Sequence, residues 1–203
     1  DVPNDTGDHG TACAGLAVAI QDNNIGVSGI CPECSLMPLK VNLSTGQNAN
    51  RADAINYAAS RRPDFDGLVI SNSWRMSSGD MTSVQAAVQN AWNAGCVILA
   101  SSGNGNGPVV NYPARYPEVI AVGATSPCDE RKTLASCDGE NWWGSDYGVD
   151  QEVMAPGVLM YTTDRTGGSG YTTGNYIPNF NGTSSACPLT AGVAALAWSA
   201  NPE

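Results

Sequence analysis

The chain is short of histidine and of positive charge. Its 203 residues contain one histidine and nine Lys and Arg against 19 Asp and Glu, giving a formal net charge of -10. No basic cluster extends beyond Arg61-Arg62, so we expect no nucleic-acid partner, since such binding depends on clustered positive charge. The chain also lacks an apolar run long enough to cross a bilayer, so we expect no membrane partner.

The seven cysteines are an odd number, so at least one of them is free or pairs between chains. Cys128 and Cys137 bracket a polar loop that a disulfide could close. Cys31-Pro32-Glu33-Cys34 favours a local disulfide or two free thiols, because neither a second Cys/His pair nor a thioredoxin-like context accompanies it. The other three cysteines lie among small apolar residues and are expected to be buried thiols: Cys13, Cys96 and Cys187.

Short apolar segments alternate with amphipathic ones along most of the chain. This alternation predicts an α/β fold, a three-layer αβα arrangement with a mostly parallel central sheet. We expect one domain over 1–203, with loop-rich excursions at 126–150 and 164–180. The predicted strands are 36–41, 68–70, 96–100 and 119–124, and the predicted helices include 49–60 and one capped by Asp80 and stopped by Gly95. The apolar positions of this last helix are Val84, Ala87, Val88, Ala91 and Trp92.

One candidate for nucleophilic chemistry is Ser184, at the start of an apolar helix predicted to run to about Ala200. A serine hydroxyl becomes a useful nucleophile when a base takes its proton. The unpaired N–H groups of a helix N-terminus also suit a developing oxyanion. The alternative is an ordinary helix cap formed by Thr183 or Ser184.

A histidine base for such a nucleophile must be His9, which precedes an apolar helix predicted from about Thr11 to Ile20. The alternative is a histidine near a helix start without a catalytic task. Asn104 follows the end of a buried strand, where its amide could donate to an oxyanion, although a turn asparagine is the simpler interpretation. Asp5 is only four residues before His9, and we interpret it as part of a solvated loop.

Together these segments resemble the subtilisin-like serine peptidase family. Gly-Thr-Ser-x-Ala-x-Pro around Ser184, His-Gly-Thr-x-x-Ala-Gly around His9 and a strand-end Ser-Gly-Asn at Asn104 occur on an α/β pattern. Similar matches extend through essentially the whole chain, at 69–74, 112–117, 119–124, 153–157 and 191–196.

The resemblance implies a serine endopeptidase that hydrolyses peptide bonds through an acyl-enzyme. Ser184 would be the nucleophile, His9 the general base and then the general acid, and Asn104 the oxyanion donor. Arg75 departs from the small residue expected there, which leaves the depth and charge preference of the pocket open. The residues implied to line the pocket for the residue before the scissile bond are Ser73, Trp74, Arg75, Ser101, Ser102 and Gly103, with Asn111 near its floor.

The acid of the triad has no counterpart in this chain. In the subtilisin order it precedes the histidine by about thirty residues, whereas eight residues precede His9. We therefore expect a fragment of a longer enzyme, truncated at both ends, and nearly inactive as residues 1–203. The alternative is a catalytically incompetent subtilisin-like scaffold or fragment. A lipase-like hydrolase would need Gly-x-Ser-x-Gly, which the segment around Ser184 does not supply.

The resemblance implies no cofactor for the chemistry, but it suggests structural calcium, which accepts several oxygen ligands in loose geometry. The carbonyls of Pro117 and Val119 with Glu152 could form one site, and loops without metal are the alternative. A second site could use residues of one loop: Asn23, Ile25 and Val27. We expect protein or peptide substrates, a monomer, and, from the cysteines and the family, a secreted or extracytoplasmic location.

Overall fold

The computed structural model describes residues 7–41, 47–76 and 81–202. The helices are α1 (Asp8–Val18), α2 (Asn48–Ser60), α3 (Thr82–Asn93) and α4 (Thr183–Ala200), with a 3-10 turn at Arg62–Asp64. The strands are β1 (Val69–Asn72), β2 (Val97–Ser101), β3 (Ile120–Thr125), β4 (Val153–Pro156), β5 (Met160–Thr163) and β6 (Tyr176–Phe180).

The core of the fold is a four-stranded parallel sheet in the order β1-β2-β3-β4. Successive side chains of β2 point to opposite faces: Ile98 packs with α2 and α3, whereas Leu99 packs with Ala186 and Cys187 of α4. Both faces are thus covered by helices, so nearly every β2 and β3 residue is apolar. The predicted three-layer αβα architecture is confirmed.

The helix predictions hold with one exception. In α3 the side chains of Val84, Ala87, Val88 and Ala91 are fully buried, and Gly95, with φ of 82°, follows the helix end as predicted. Trp92 is 54% exposed, so its assignment to the buried face is wrong. It follows Ala91 by one position, a rotation of about 100° that carries it outside the apolar stripe. The proposed cap Asp80 lies outside the described residues.

The predicted strand at 36–41 is wrong. These residues form no ladder with any part of the chain that the structure describes, where β1 is the edge of the sheet. Leu36 and Leu39 are consequently 52% and 37% exposed. An apolar segment becomes a strand only where a neighbour pairs its backbone groups.

An antiparallel hairpin of β5 and β6 was not predicted, and β6 lies within the segment expected to be loop-rich. Its connection folds around the buried carboxylate of Asp164, which accepts backbone N–H groups from Arg165, Tyr171 and Thr172. The hairpin packs against α1 through a small cluster of Ala12, Leu16, Ile177 and Phe180.

Disulfides join Cys31 to Cys34 and Cys128 to Cys137, with Cα–Cα distances of 5.4 and 6.3 Å. The closure predicted for the 128–137 loop is therefore confirmed. The free cysteines include Cys96 and Cys187, both buried, and Cys13, which is less enclosed. None of the described helices is sufficiently long and apolar to cross a membrane.

Candidate active site

Ser184 is the second residue of α4, which begins immediately after a glycine turn. Gly182 has φ of 108°, and a Cβ there would lie 2.9 Å from Nδ2 of Asn104. A side chain at this position would therefore both strain the backbone and push Asn104 away. The Ser184 hydroxyl donates to the carbonyl of Ser73 at 3.4 Å, and the Ser73 hydroxyl donates to the carbonyl of Ser184 at 2.9 Å.

His9 lies in the first turn of α1, half-buried, with its ring in edge contact with Phe180 at 5.5 Å between centroids. Burial lowers its pKa from the ordinary value, which favours the neutral imidazole that a general base requires. Its Nδ1 faces the thiol of Cys13 at 3.8 Å. The adjacent carboxylate of Asp8 instead binds Arg165 at 2.7 Å.

No carboxylate of the described residues hydrogen-bonds the His9 ring, and burial alone accounts for the direction of its pKa. Asp5, interpreted above as part of a solvated loop, lies outside the described residues. The thiol at Nδ1 is no substitute for a carboxylate, because burial raises the pKa of Cys13 to about 12 and keeps it neutral.

The amide of Asn104 is fixed by its contacts with Thr183. Its Oδ1 accepts both the backbone N–H and the hydroxyl of Thr183 at 2.8 Å each. The Thr183 hydroxyl in turn accepts the N–H of Gly103 at 3.2 Å. These contacts fix the orientation of the Asn104 side-chain amide, with Oδ1 towards Thr183 and the donor Nδ2 beside Gly182. Within the described residues Nδ2 has no acceptor, so it could donate to an oxyanion.

Two cavities adjoin Ser184 and Asn104, and both residues line each of them. The smaller, of about 250 Å³, lies where β1 and β2 end, as expected for the carboxyl edge of a parallel sheet. Its other lining residues are Arg51, Ser73, Trp74, Arg75, Ser101, Gly103 and Thr183. The larger, of about 620 Å³, is lined by His9 as well as by Ser184 and Asn104.

Ser102 and Asn111 lie behind the wall of the smaller cavity. Ser102 is fully buried and donates to the carbonyl of Asp146 at 3.2 Å. Asn111 Nδ2 donates to the Asp146 carboxylate at 2.7 Å. Gly103 has φ of 117°, and a Cβ there would collide with both Asn111 and Asp146. Glycine at this position therefore allows the cavity wall to pack directly against these two side chains.

Several cavity residues carry no sequence motif that could identify them. Arg51 comes from α2 and lies over the Trp74 ring at 5.1 Å. The larger cavity is completed by residues of the two excursions, of β6 and of the position after β6: Glu140, Trp142, Tyr171, Thr172, Ile177, Asn179, Phe180 and Asn181. Because these residues are brought together from distant parts of the sequence, no local sequence pattern could have identified them.

The residues suggested for the first calcium site lie at the amino ends of two neighbouring parallel strands, the edge of the sheet opposite the smaller cavity. Pro117 and Val119 precede β3, and Glu152 precedes β4. The Glu152 carboxylate accepts the N–H of Ala121 at 3.2 Å, which brings it to the start of β3. At the second suggested site, Asn23 Oδ1 accepts the N–H of Ile25 at 2.9 Å. Among the described residues no group of three or more His, Cys, Asp or Glu could hold a metal, so carbonyls would have to supply most ligands.

Comparison with known proteins gives consistent matches. The Subtilase family model matches residues 1–203. Thermitase of Thermoactinomyces vulgaris is 36% identical over 196 residues, covering 96% of this chain and 62% of that protein. A calcium-dependent protease of Trichormus variabilis is 36% identical over 231 residues, covering 99% of this chain and 34% of that protein.

Among solved structures, sphericase superimposes with a TM-score of 0.77 at 27% identity, covering 97% of this chain and 64% of that one. The chain thus spans less than two thirds of the length of each of these relatives. Since the family model matches from end to end, the chain belongs to the subtilase family.

Proposed function

We propose that this chain carries the catalytic site of a serine endopeptidase that hydrolyses peptide bonds through an acyl-enzyme. The observation on which this rests is that Ser184, His9 and Asn104 line one cavity. The Nδ2 donor of Asn104, which has no acceptor among the described residues and whose amide is fixed by Thr183, supports it further. Relatives named thermitase and subtilisin support the same activity.

In the proposed reaction, neutral His9 takes the hydroxyl proton as Ser184 Oγ attacks the scissile carbonyl. This requires the hydroxyl to rotate away from the Ser73 carbonyl that now accepts it. Asn104 Nδ2 and the N–H groups at the start of α4 stabilise the tetrahedral oxyanion. Protonated His9 then gives its proton to the leaving amine. In the second half of the reaction His9 takes a proton from water as the water attacks the acyl-enzyme, and it returns that proton to Ser184 Oγ as the acid product leaves.

A catalytically incompetent scaffold is the second candidate, because His9 Nδ1 faces the thiol of Cys13 and no described carboxylate. Without an acid, nothing fixes the tautomer of His9 or stabilises its imidazolium. A subtilisin that loses its acid alone loses about 3 × 10⁴ in kcat. The two candidates therefore differ by orders of magnitude in rate.

A fluorophosphonate, which reacts with activated serines, separates the two. In the protein expressed from its whole reading frame, we expect it to modify Ser184, located by peptide mass mapping. The buried neighbour Ser185, whose hydroxyl donates to the Gly182 carbonyl at 2.7 Å, should remain unmodified. A protein that stays unlabelled, or is labelled at another residue, contradicts the proposed nucleophile.

We further propose structural calcium at the carbonyls of Pro117 and Val119 with Glu152, and in the loop of Asn23, Ile25 and Val27. An all-oxygen donor set of carbonyls and one carboxylate suits this ion, and two relatives are named calcium-dependent protease. The ion would hold loops together and take no part in the proton transfers.

Chelation tests the calcium proposal. A ligand present at 100 times its Kd stabilises by about 2.7 kcal/mol, so EDTA should lower the Tm by about 5–10 °C. Glu152→Gln should weaken the site and reduce that shift. A Tm that EDTA leaves unchanged would refute calcium at either place.

Protein or peptide substrates follow from the proposed reaction. The two local disulfides support an oxidising compartment, and with it a secreted or extracytoplasmic location.

A further inference from the structure

The larger cavity beside Ser184 has a fixed carboxylate, that of Glu140. Its Oε2 accepts the indole N–H of Trp143 at 2.7 Å, and its Oε1 accepts the amide of Asn181 at 2.6 Å. Asn181 is three residues before Ser184, so this carboxylate is bound to the segment that carries the proposed nucleophile. A carboxylate offers about four lone-pair positions, and Glu140 therefore keeps acceptor capacity for a ligand.

Buried contacts hold Glu140 in place. Glu140 follows by three residues the loop that the Cys128–Cys137 disulfide closes. The fully buried Lys132 donates to the Glu140 carbonyl and pairs with Asp138 at 2.9 Å, and Asp138 accepts the Glu140 N–H at 2.8 Å. Because Lys132 and Asp138 are neutral as a pair, the negative charge of Glu140 remains at the cavity wall. A charge held this way needs no reordering when a ligand arrives.

The charge balance of this cavity favours a cation. Burial lowers the pKa of His9 and raises that of Tyr171 to about 12, so both are neutral near pH 7. Of the described residues that line the cavity, only Glu140 is then charged. Trp142 is 68% exposed at the same wall, and an indole face attracts cations as well.

The proposed reaction indicates which part of a substrate enters this cavity. Ser184 and Asn104 line both cavities, so the scissile carbonyl would lie between them. His9 must protonate the leaving amine, and it lines the cavity that contains Glu140. The residues after the scissile bond therefore belong on the Glu140 side.

We infer that Glu140, with Trp142, selects a lysine or arginine side chain in the first two residues after the scissile bond. The inference rests on the proposed peptidase function. It requires a salt bridge from the substrate cation to the Glu140 carboxylate, while the alkyl part of the side chain packs on the exposed indole.

Matched peptides test the inference in the protein expressed from its whole reading frame. Internally quenched peptides would differ only in carrying Lys, Leu or Glu at the first or second position after the cleaved bond. We expect kcat/KM for Lys to exceed that for Leu by about five- to tenfold, with Glu lowest. In Glu140→Gln the Lys-to-Leu ratio should fall to about one. Glu130→Gln, which removes an exposed carboxylate of the same excursion, should keep the wild-type ratio.

The outcomes are separable. If no peptide is cleaved, the proposed function itself fails. Equal kcat/KM for Lys and Leu at both positions would overturn the role of Glu140 and leave the peptidase function standing, as would a Lys preference that persists in Glu140→Gln. Fluorophosphonate titration counts the folded sites in each variant. If Glu140→Gln fails to fold, the wild type alone tests the inference. Its Lys-to-Leu ratio of kcat/KM must fall in 1 M salt, where the screening length is about 3 Å, and a ratio that salt leaves unchanged would overturn the role of Glu140.

Discussion

In the protein expressed from its whole reading frame, replacing Ser184 by alanine should lower kcat by about 10⁶-fold, because the acyl-enzyme can no longer form. In a subtilisin the loss of the nucleophile costs about 2 × 10⁶ in kcat. The expectation depends on His9 being neutral, and its burial favours that form. Initial rates on a fluorogenic acyl-peptide would measure the loss, with trace contamination excluded by fluorophosphonate titration.

Asn104→Ala should give a smaller loss, about 10²–10³-fold in kcat or about 2.7–4 kcal/mol, the cost of one oxyanion donor in a subtilisin. Because this donor acts mainly in the transition state, KM should change little. Thr183→Val removes the hydroxyl that donates to Asn104 Oδ1 at 2.8 Å while leaving the backbone N–H in place. The kcat of Thr183→Val should therefore lie between those of the wild type and Asn104→Ala.

Ser185→Ala is the matched control for this series. Ser185 is adjacent in α4, but its hydroxyl donates to the carbonyls of Gly157 and Gly182 and it is fully buried. We expect some loss of stability and a kcat near that of the wild type. If Ser185→Ala lost as much activity as Ser184→Ala, the nucleophile would have to be reassigned.

The sheet and its helices could be predicted because their residues carry the pattern themselves. Strands β2 and β3 are continuously apolar since both of their faces are covered, and α2 and α3 have apolar residues at helical spacing. The strand expected at 36–41 failed because pairing depends on a neighbour, which apolarity alone cannot supply. The hairpin of β5 and β6 was missed because polar Thr and Tyr residues interrupt its pattern.

In the candidate site, too, some residues could be predicted from the sequence and others could not. His9, Ser184 and Asn104 stand in short motifs, and the structure brings all three to one cavity. Glu140 has no motif, because it reaches the cavity through contacts with Lys132, Asp138 and Asn181 that are not encoded at any regular spacing. A charged residue inside a long polar excursion is indistinguishable in sequence from a solvated one.

Lys132→Met should lower the free energy of unfolding by about 3–5 kcal/mol, the usual cost of leaving a buried charge without its partner. The side chains of Lys132 and Asp138 are both 0% exposed, 2.9 Å apart, and Lys132 also lies over the Trp143 ring. Asp138 Oδ2 already has no hydrogen-bond partner among the described residues, so the carboxylate depends on Lys132. Urea unfolding at pH 7 would measure the difference.

The double variant Lys132→Met/Asp138→Asn distinguishes a stranded charge from lost packing. Asparagine keeps an acceptor for the Glu140 N–H, at 2.8 Å in the native protein, but carries no charge. The double variant should therefore be more stable than Lys132→Met alone, although it contains one substitution more. If the double variant lost the sum of the unfolding free energies that Lys132→Met and Asp138→Asn lose singly, the ion pair would not be the source of the effect.

Acid should remove the stabilisation that ionised Asp138 contributes in the wild type. Burial alone would raise its pKa, but hydrogen bonds from Lys132 and from the Glu140 N–H outweigh this and lower it. A lowered pKa means that the stabilisation is complete above the unfolded value, about 3.9, and is lost as the pH falls through the folded one. In Lys132→Met, burial without the lysine raises the pKa, so protonation relieves the stranded charge. The gap between wild type and Lys132→Met should thus narrow between pH 7 and pH 4, and a gap that stays constant or widens would contradict an ionised Asp138.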